Sequence, residues 1–174
     1  MFSKRQLLLH LFAEVEALRS KPGSKLSWRR KELMSFGVQF GEKIWIGSNF
    51  YIHKFGDLVL GERCALGENT QIFNHTKIII GDDFISASDL IINSGSHDPT
   101  TLIPFGAPIE VGDRVWCGSR VTIIAGVKIG SDVVIGAGSV VTKDLPSNCI
   151  AVGVPAKPVK LIDRGSIEKL WSWS

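Results

Sequence analysis

The sequence predicts an all-β chain wound as a parallel β-helix, and three observations carry that reading. An apolar residue, mostly Leu, Ile or Val, returns at every sixth position, unbroken near the end through Val111, Cys117, Ile123, Ile129, Ile135 and Val141. A period of six fits neither the 3.6 of an α-helix nor the two of a lone strand, and belongs to coils built from hexapeptides. The position two before each beat is also apolar or small, as at Leu58, Ile78, Ile109, Val121 and Val133, so each hexapeptide supplies one short strand with two inward side chains. Glycine follows the beat at Gly41, Gly47, Gly61, Gly67, Gly81, Gly112, Gly118, Gly130 and Gly136, half of the 18 glycines. A sharp corner with φ > 0 or close backbone approach asks for it there. Three strands and three corners close one triangular coil.

The elements follow in order, within a single domain spanning residues 1–174. Residues 1–36 form the N-terminal helix and lead-in. The helix covers 3–19, with Leu8, Leu11, Phe12, Val15 and Leu18 on one stripe, and is expected to cap the open end of the column. Pro22-Gly23-Ser24 ends it. The β-helix spans 37–154, beginning on the beats Phe40, Ile46 and Ile52. Two-residue insertions precede Leu60 and Ile80. Nineteen positions separate Ile92 from Val111, which is not a multiple of six, so a loop at 93–110 leaves the coil. Residues 155–174 are a C-terminal extension. Pro155 and Pro158 should stop strand pairing, and 163–174 should form a tail or short helix that folds Trp171 and Trp173 back on the body. Stacked coils bury what one coil cannot, about 1.5–3 kcal/mol per aliphatic side chain.

Composition narrows the function. No apolar run reaches the roughly 18 residues of a membrane span, and no signal peptide is read at the N-terminus. The widely spaced Cys64, Cys117 and Cys149 lack a Cys-x-x-Cys motif, which argues against disulfides and zinc and for a reducing, cytoplasmic setting. A net charge of +3 is too mild for a nucleic-acid partner. Trp116 faces outward by parity and is a candidate contact for a subunit or a ligand.

Chemistry is expected where the beat breaks. His97 stands five residues beyond the inward Ile92, at the root of the longest break. A histidine there can take a proton from a hydroxyl or amine. His10 falls on the N-terminal helix. His53 takes a corner place usually held by glycine, and His75 sits in the second insertion, where it could line an acceptor pocket or merely bond a turn.

The stretches Pro-Ile-Glu-Val-Gly-Asp-Arg-Val-Trp-Cys-Gly-Ser (108–119), Gly-Ala-Gly-Ser-Val-Val-Thr-Lys-Asp-Leu-Pro (136–146) and Gly-Val-Pro-Ala-Lys (153–157) carry a resemblance. Over residues 37–162 the chain resembles the hexapeptide-repeat acetyltransferases. These include the galactoside and maltose O-acetyltransferases and the O-acetyltransferases of capsule and exopolysaccharide synthesis. The resemblance implies a left-handed β-helix, a homotrimer with active sites between neighbouring subunits, acetyl-CoA as donor, and a loop histidine, here His97, as general base. It implies that Ser119, Ala137, Thr142 and Lys143 hold the cofactor. Lys157 and Lys160 join them where the galactoside-type enzymes carry arginine, so the charge is kept and the bidentate fork is not. The N-terminal region is shorter than in those enzymes, and the segment from Ile72 to Ile80 is shorter by one repeat. Asn74, His75 and Asp98 are therefore the acceptor candidates, and the chain reads closer to the polysaccharide-modifying branch.

The expected activity is O-acetylation of a sugar or surface-polysaccharide precursor, with the tetrahedral oxyanion met by backbone N–H groups near Ser119 or the glycine before it. An N-acetyltransferase of a nucleotide-linked amino sugar would use the same scaffold and base. A carbonic anhydrase-like metalloenzyme needs three converging imidazoles, two of them four residues apart. Here His53, His75 and His97 are separated by twenty-two each, and no metal is expected. A non-catalytic β-helix would leave both His97 and the signature unexplained.

Overall fold

The structure, a computed structural model, describes residues 33–34, 37–53 and 57–165. The helix expected over 3–19 and the Trp171 and Trp173 side chains lie outside the described residues. Five coils of three strands follow one another. The first holds β1 (Gln39–Phe40), β2 (Ile44–Ile46) and β3 (Tyr51–Ile52). The second holds β4 (Leu58–Leu60), β5 (Cys64–Leu66) and β6 (Gln71–Phe73), and the third β7 (Ile78–Ile80), β8 (Ile85–Ser86) and β9 (Ile91–Asn93). A hairpin of β10 (Gly95–His97) and β11 (Pro104–Gly106) then leaves the column. The fourth coil holds β12 (Ile109–Val111), β13 (Trp116–Cys117) and β14 (Thr122–Ile124), and the fifth β15 (Lys128–Ile129), β16 (Val133–Ile135) and β17 (Val140–Val141). A last strand on the column, β18 (Cys149–Gly153), is followed by β19 (Ala156–Leu161), which folds back on it.

Coils pair in parallel and stack three sheets. Face A is β1-β4-β7-β12-β15, face C is β3-β6-β9-β14-β17, and face B runs from β2 through β5, β8, β13, β16 and β18 to β19 at its edge. This is the left-handed β-helix of hexapeptide repeats expected from the sequence. Beats lie over beats: Leu60, Ile80, Val111 and Ile129 on face A, and Ile52, Ile72, Ile92, Ile123 and Val141 on face C. From the second coil on, these columns are buried and form one core. Cys64, Cys117 and Cys149 are free and buried within it. Burial pushes the thiols of Cys64 and Cys117 up to about 12, so both pack as small apolar groups.

The corner glycines are dictated by close approach, and none of those nine has a positive φ. A Cβ on Gly47 would lie 2.6 Å from the Glu68 nitrogen, and one on Gly112 2.7 Å from the Ser131 nitrogen, in the next coil. The left-handed conformation falls two residues later, at Asn49, Asn69 and Asp89 on one corner and at Arg63, Asp83, Arg114 and Asp132 on another. Their side chains tie coil to coil. Asn49 Nδ2 donates to Asn69 Oδ1 (2.9 Å) and Asn69 Nδ2 to Asp89 Oδ1 (3.0 Å). Arg63 and Arg114 each donate two bonds, of 2.7–2.8 Å, to Asp83 and Asp132.

The C-terminal end corrects the expectation that prolines stop pairing. β19 contains Pro158 and pairs antiparallel with β18, with a register irregularity between Ile150 and Ala151. Proline is tolerated because β19 is the edge strand, where a missing N–H need not break a ladder. The segment from Pro155 is thus part of face B before it is a tail.

Candidate active site

At the corner between faces C and A, the break in the repeat becomes a hairpin. Asn93 closes β9, and its Oδ1 accepts the Gly95 N–H at 2.9 Å. In β10 and β11, Gly95 lies opposite Gly106, Ser96 opposite Phe105, and His97 opposite Pro104. His97 is thus the last paired residue of β10, lifted off the column and exposed. The turn beyond it is tied by Asp98, whose Oδ1 accepts from Thr100 N (2.9 Å), Thr101 N (2.8 Å) and Thr101 Oγ1 (3.0 Å). The Thr101 N–H foremost, then those of Thr100 N and Thr101 Oγ1, hold its carboxyl below the usual carboxylate range. Asp98, an acceptor candidate in the sequence, is largely committed to stiffening the turn that carries His97.

Below the hairpin the first two coils present a cluster of rings. Tyr51 and Phe73 have centroids 5.5 Å apart, His53 and Phe73 6.3 Å, and His53 and His75 5.0 Å. Burial first, and the neighbouring His75 second, hold the His53 imidazole below its ordinary value. His75 is exposed beside this cluster. Asn74 is 1% exposed, so its carboxamide is packed inside the corner. It follows the inward Ile72 by two positions, and the insertion turns it inward.

The cofactor candidates separate into two groups on the two edges of face C. Ser119 and Ala137 stand on successive coils at the corner between faces B and C. Gly118 lets them stack, since a Cβ there would lie 2.7 Å from the Ala137 nitrogen. The Gly138 N–H donates to the Ser119 carbonyl at 2.8 Å, and Ser119 Oγ is 3.4 Å from Ser88 Oγ. Lys157 is level with Val152, at the same corner one strand further on. Thr142 and Lys143 follow β17 at the opposite corner, in the column of Asn93 and Ile124, two coils beyond the hairpin root. Lys160 is level with Ile150, further along face B. Arg164, a further cation late in the chain, donates to the Arg114 carbonyl at 2.9 Å, at the corner between faces A and B. One chain therefore does not bring His97 and all of its cofactor candidates to a single corner. Of the proposed oxyanion donors, the Gly118 N–H is used by the Ile135 carbonyl at 2.8 Å, whereas the Ser119 N–H has no partner among the described residues.

Comparison with known proteins gives the family. The family of bacterial transferase hexapeptides (six repeats) matches residues 108–143. The chain is 30% identical over 145 residues to the galactoside O-acetyltransferase of Escherichia coli, covering 80% of this chain and 71% of that protein. The chain belongs to the hexapeptide-repeat acetyltransferases. An E. coli protein named for O-acetyl transfer in lipopolysaccharide biosynthesis is 31% identical over 150 residues, 77% of this chain and 76% of its own. A Schizosaccharomyces pombe protein, placed by name among acetyltransferases, is 40% identical over 128 residues, 74% of this chain, and the match spans only 55% of that relative's length. The solved structure of a galactoside acetyltransferase in complex with coenzyme A superposes with a TM-score of 0.59 at 28% identity, covering 90% of this chain and 80% of that one.

The sequence placed His97 at the break in the repeat, but it did not foresee the hairpin, its supports or the division of the cofactor candidates between two corners. Gly95 and Gly106 flank the break as Gly-Ser-His and Pro-Phe-Gly, and that pairing is the signal that could have been read. Ser94 is fully buried, and its Oγ accepts the Thr76 N–H at 2.9 Å. Among the described residues no group of three or more His, Cys, Asp and Glu side chains is placed to hold a metal ion, and no helix is long and apolar enough to cross a membrane.

Proposed function

We propose that this acetyltransferase moves an acetyl group from acetyl-CoA to a hydroxyl of a sugar or surface-polysaccharide precursor, with His97 as general base. The observation that carries the reading is the hairpin that lifts His97 off an otherwise continuous column, at the same corner that Thr142 and Lys143 occupy two coils later. A sugar hydroxyl is a poor nucleophile at neutral pH. The imidazole removes its proton as the oxygen attacks the thioester carbonyl. The oxyanion is met by backbone N–H groups, Ser119 the nearest in kind. The C–S bond then breaks, the ester is released, and the imidazolium returns its proton to the departing CoA thiolate. Lys143, Lys157 and Lys160 supply charge for the CoA phosphates.

The cofactor candidates lie at opposite edges of face C, so we place the working site between subunits. The corner bearing His97 faces the Ser119–Ala137 corner of a neighbour, and three prisms close a ring with identical contacts. The groove between two prisms suits a long, narrow pantetheine arm. The O-acetyltransferase names among the relatives support ester formation, and three buried free thiols fit a cytoplasmic setting.

The test is transfer from acetyl-CoA to a panel of sugars, nucleotide sugars and oligosaccharide fragments, with the product bond identified. Ester products are expected, and His97→Ala should lower turnover roughly 100-fold or more with acetyl-CoA affinity nearly unchanged. Amide products alone would move the enzyme to amino-sugar N-acetylation, and activity of His97→Ala within a few-fold of the parent would remove His97 from the chemistry.

A further inference from the structure

The hairpin leaves the column through two glycines that face each other, Gly95 on β10 and Gly106 on β11. Neither has a positive φ, so backbone conformation does not demand glycine at either place. What each lacks is room. A Cβ on Gly95 would overlap the His75 ring, meeting its Cγ at 2.7 Å. A Cβ on Gly106 would overlap Thr76 Cγ2. Two consecutive side chains of the second-coil insertion therefore press on the two root residues of the hairpin, one on each strand. The insertion is itself fixed from below and from the side. The His75 ring lies 5.0 Å from that of His53. The buried Ser94 accepts the Thr76 N–H at 2.9 Å, while its own N–H donates to the Phe73 carbonyl at 3.0 Å. The twenty-two-residue spacing of the histidines thus gains a physical sense. His53 backs His75, His75 backs Gly95, and Gly95 is two residues from His97.

Side chains two apart on a strand leave it on the same side. The direction in which Gly95 would carry a Cβ, toward His75, is therefore the direction in which His97 projects its imidazole. Whatever sets the tilt of β10 over the corner sets where that imidazole stands, two residues and about 6.6 Å further along the strand. We propose that His75 and Thr76 are positioning residues for the transfer reaction: they clamp the glycine pair at the hairpin root and so fix the place of His97. The clamp rests on the reading that His97 is the base. It assigns the 73–77 insertion a task that neither the repeat nor the cofactor site requires.

The experiment is a rescue series on the full-length protein, with kcat, the Michaelis constant for acetyl-CoA and thermal midpoint measured for each variant. Gly95→Ala should lower kcat roughly 100-fold, the scale of a 1 Å misplacement of a reacting group, with the acetyl-CoA constant near that of the parent. His75→Ala, which loosens the root without colliding, should lower kcat roughly 10-fold. Combining Gly95→Ala with His75→Ala removes the collision, and kcat should recover to within a few-fold of His75→Ala alone. Gly106→Ala with Thr76→Ser repeats the logic on the other strand and keeps the test open if Gly95→Ala does not fold. A double variant no better than the single glycine variant, in both pairs, would overturn the clamp. So would a Gly95→Ala enzyme at the parental kcat while His97→Ala is inactive. If His75 served only as an acceptor contact, its loss would raise the acceptor's Michaelis constant and Gly95→Ala would gain nothing from it, which also overturns the proposal. An active His97→Ala enzyme would instead strike the general-base reading, separately from the contact between His75 and Gly95.

Discussion

Burial, with a smaller contribution from the neighbouring His75, depresses the His53 imidazole below its ordinary value of 6.5. The folded protein therefore prefers His53 neutral, and the unfolded chain binds the proton more readily. For a depressed group, stability rises with pH wherever the unfolded state holds more protons. The His53 contribution is complete above about pH 6.5 and is lost as pH falls from there through the lower folded value. The thermal midpoint should drop on acidification in that window, and His53→Gln should flatten the drop. A parent-like slope in His53→Gln would place the titration elsewhere. At this scale the place of His97 at a break could be read from the sequence because a repeat makes its interruption visible. The surroundings of Asn74 and Asp98 could not be read, since a residue type names a possible contact and not its direction. The structure turns Asn74 inward to 1% exposure and commits the Asp98 carboxylate to Thr100 and Thr101.

Elements show the same division. The period of six located the described coil strands, because each beat must face a shared core. It said nothing of β10, β11 or β19, which pair antiparallel outside the period. The expectation that Pro155 and Pro158 end strand pairing came from treating proline as a stop, where an edge strand only needs its missing N–H to point away from the ladder. The corners hold a further device, the Asn49–Asn69–Asp89 ladder, in which each asparagine donates to the next coil and all three backbones are left-handed. The two contributions separate by substitution. Asn69→Gly keeps the conformation and loses the bonds, at about 1 kcal/mol. Asn69→Ala loses both and should cost about 2–3 kcal/mol, measured by urea unfolding. Equal losses in the two variants would mean that the left-handed corner carries no strain.

For the whole molecule, the decisive observation is that the candidate site residues fall on two edges of one face. The hairpin of His97 leaves the column at the edge of face C where Thr142 and Lys143 follow β17, while Ser119, Ala137 and Lys157 stand on the other edge. The sequence could not separate these groups, because residues 137 and 143 are neighbours along the chain and lie on different corners only once the coil is wound. The account therefore predicts complementation between two defective subunits. On the proposed reading, His97→Ala lacks the base and Ala137→Trp blocks the cofactor corner. Each alone should be nearly inactive. Co-expressed in equal amounts in a three-fold ring, they should regain about a quarter of parental turnover, since about one interface in four joins an intact His97 to an intact Ala137. Turnover of the co-expressed mixture is the measurement that bears most directly on the account. Recovery near a quarter is the predicted result, and turnover no greater than the sum of the two variants alone would contradict a site shared between subunits.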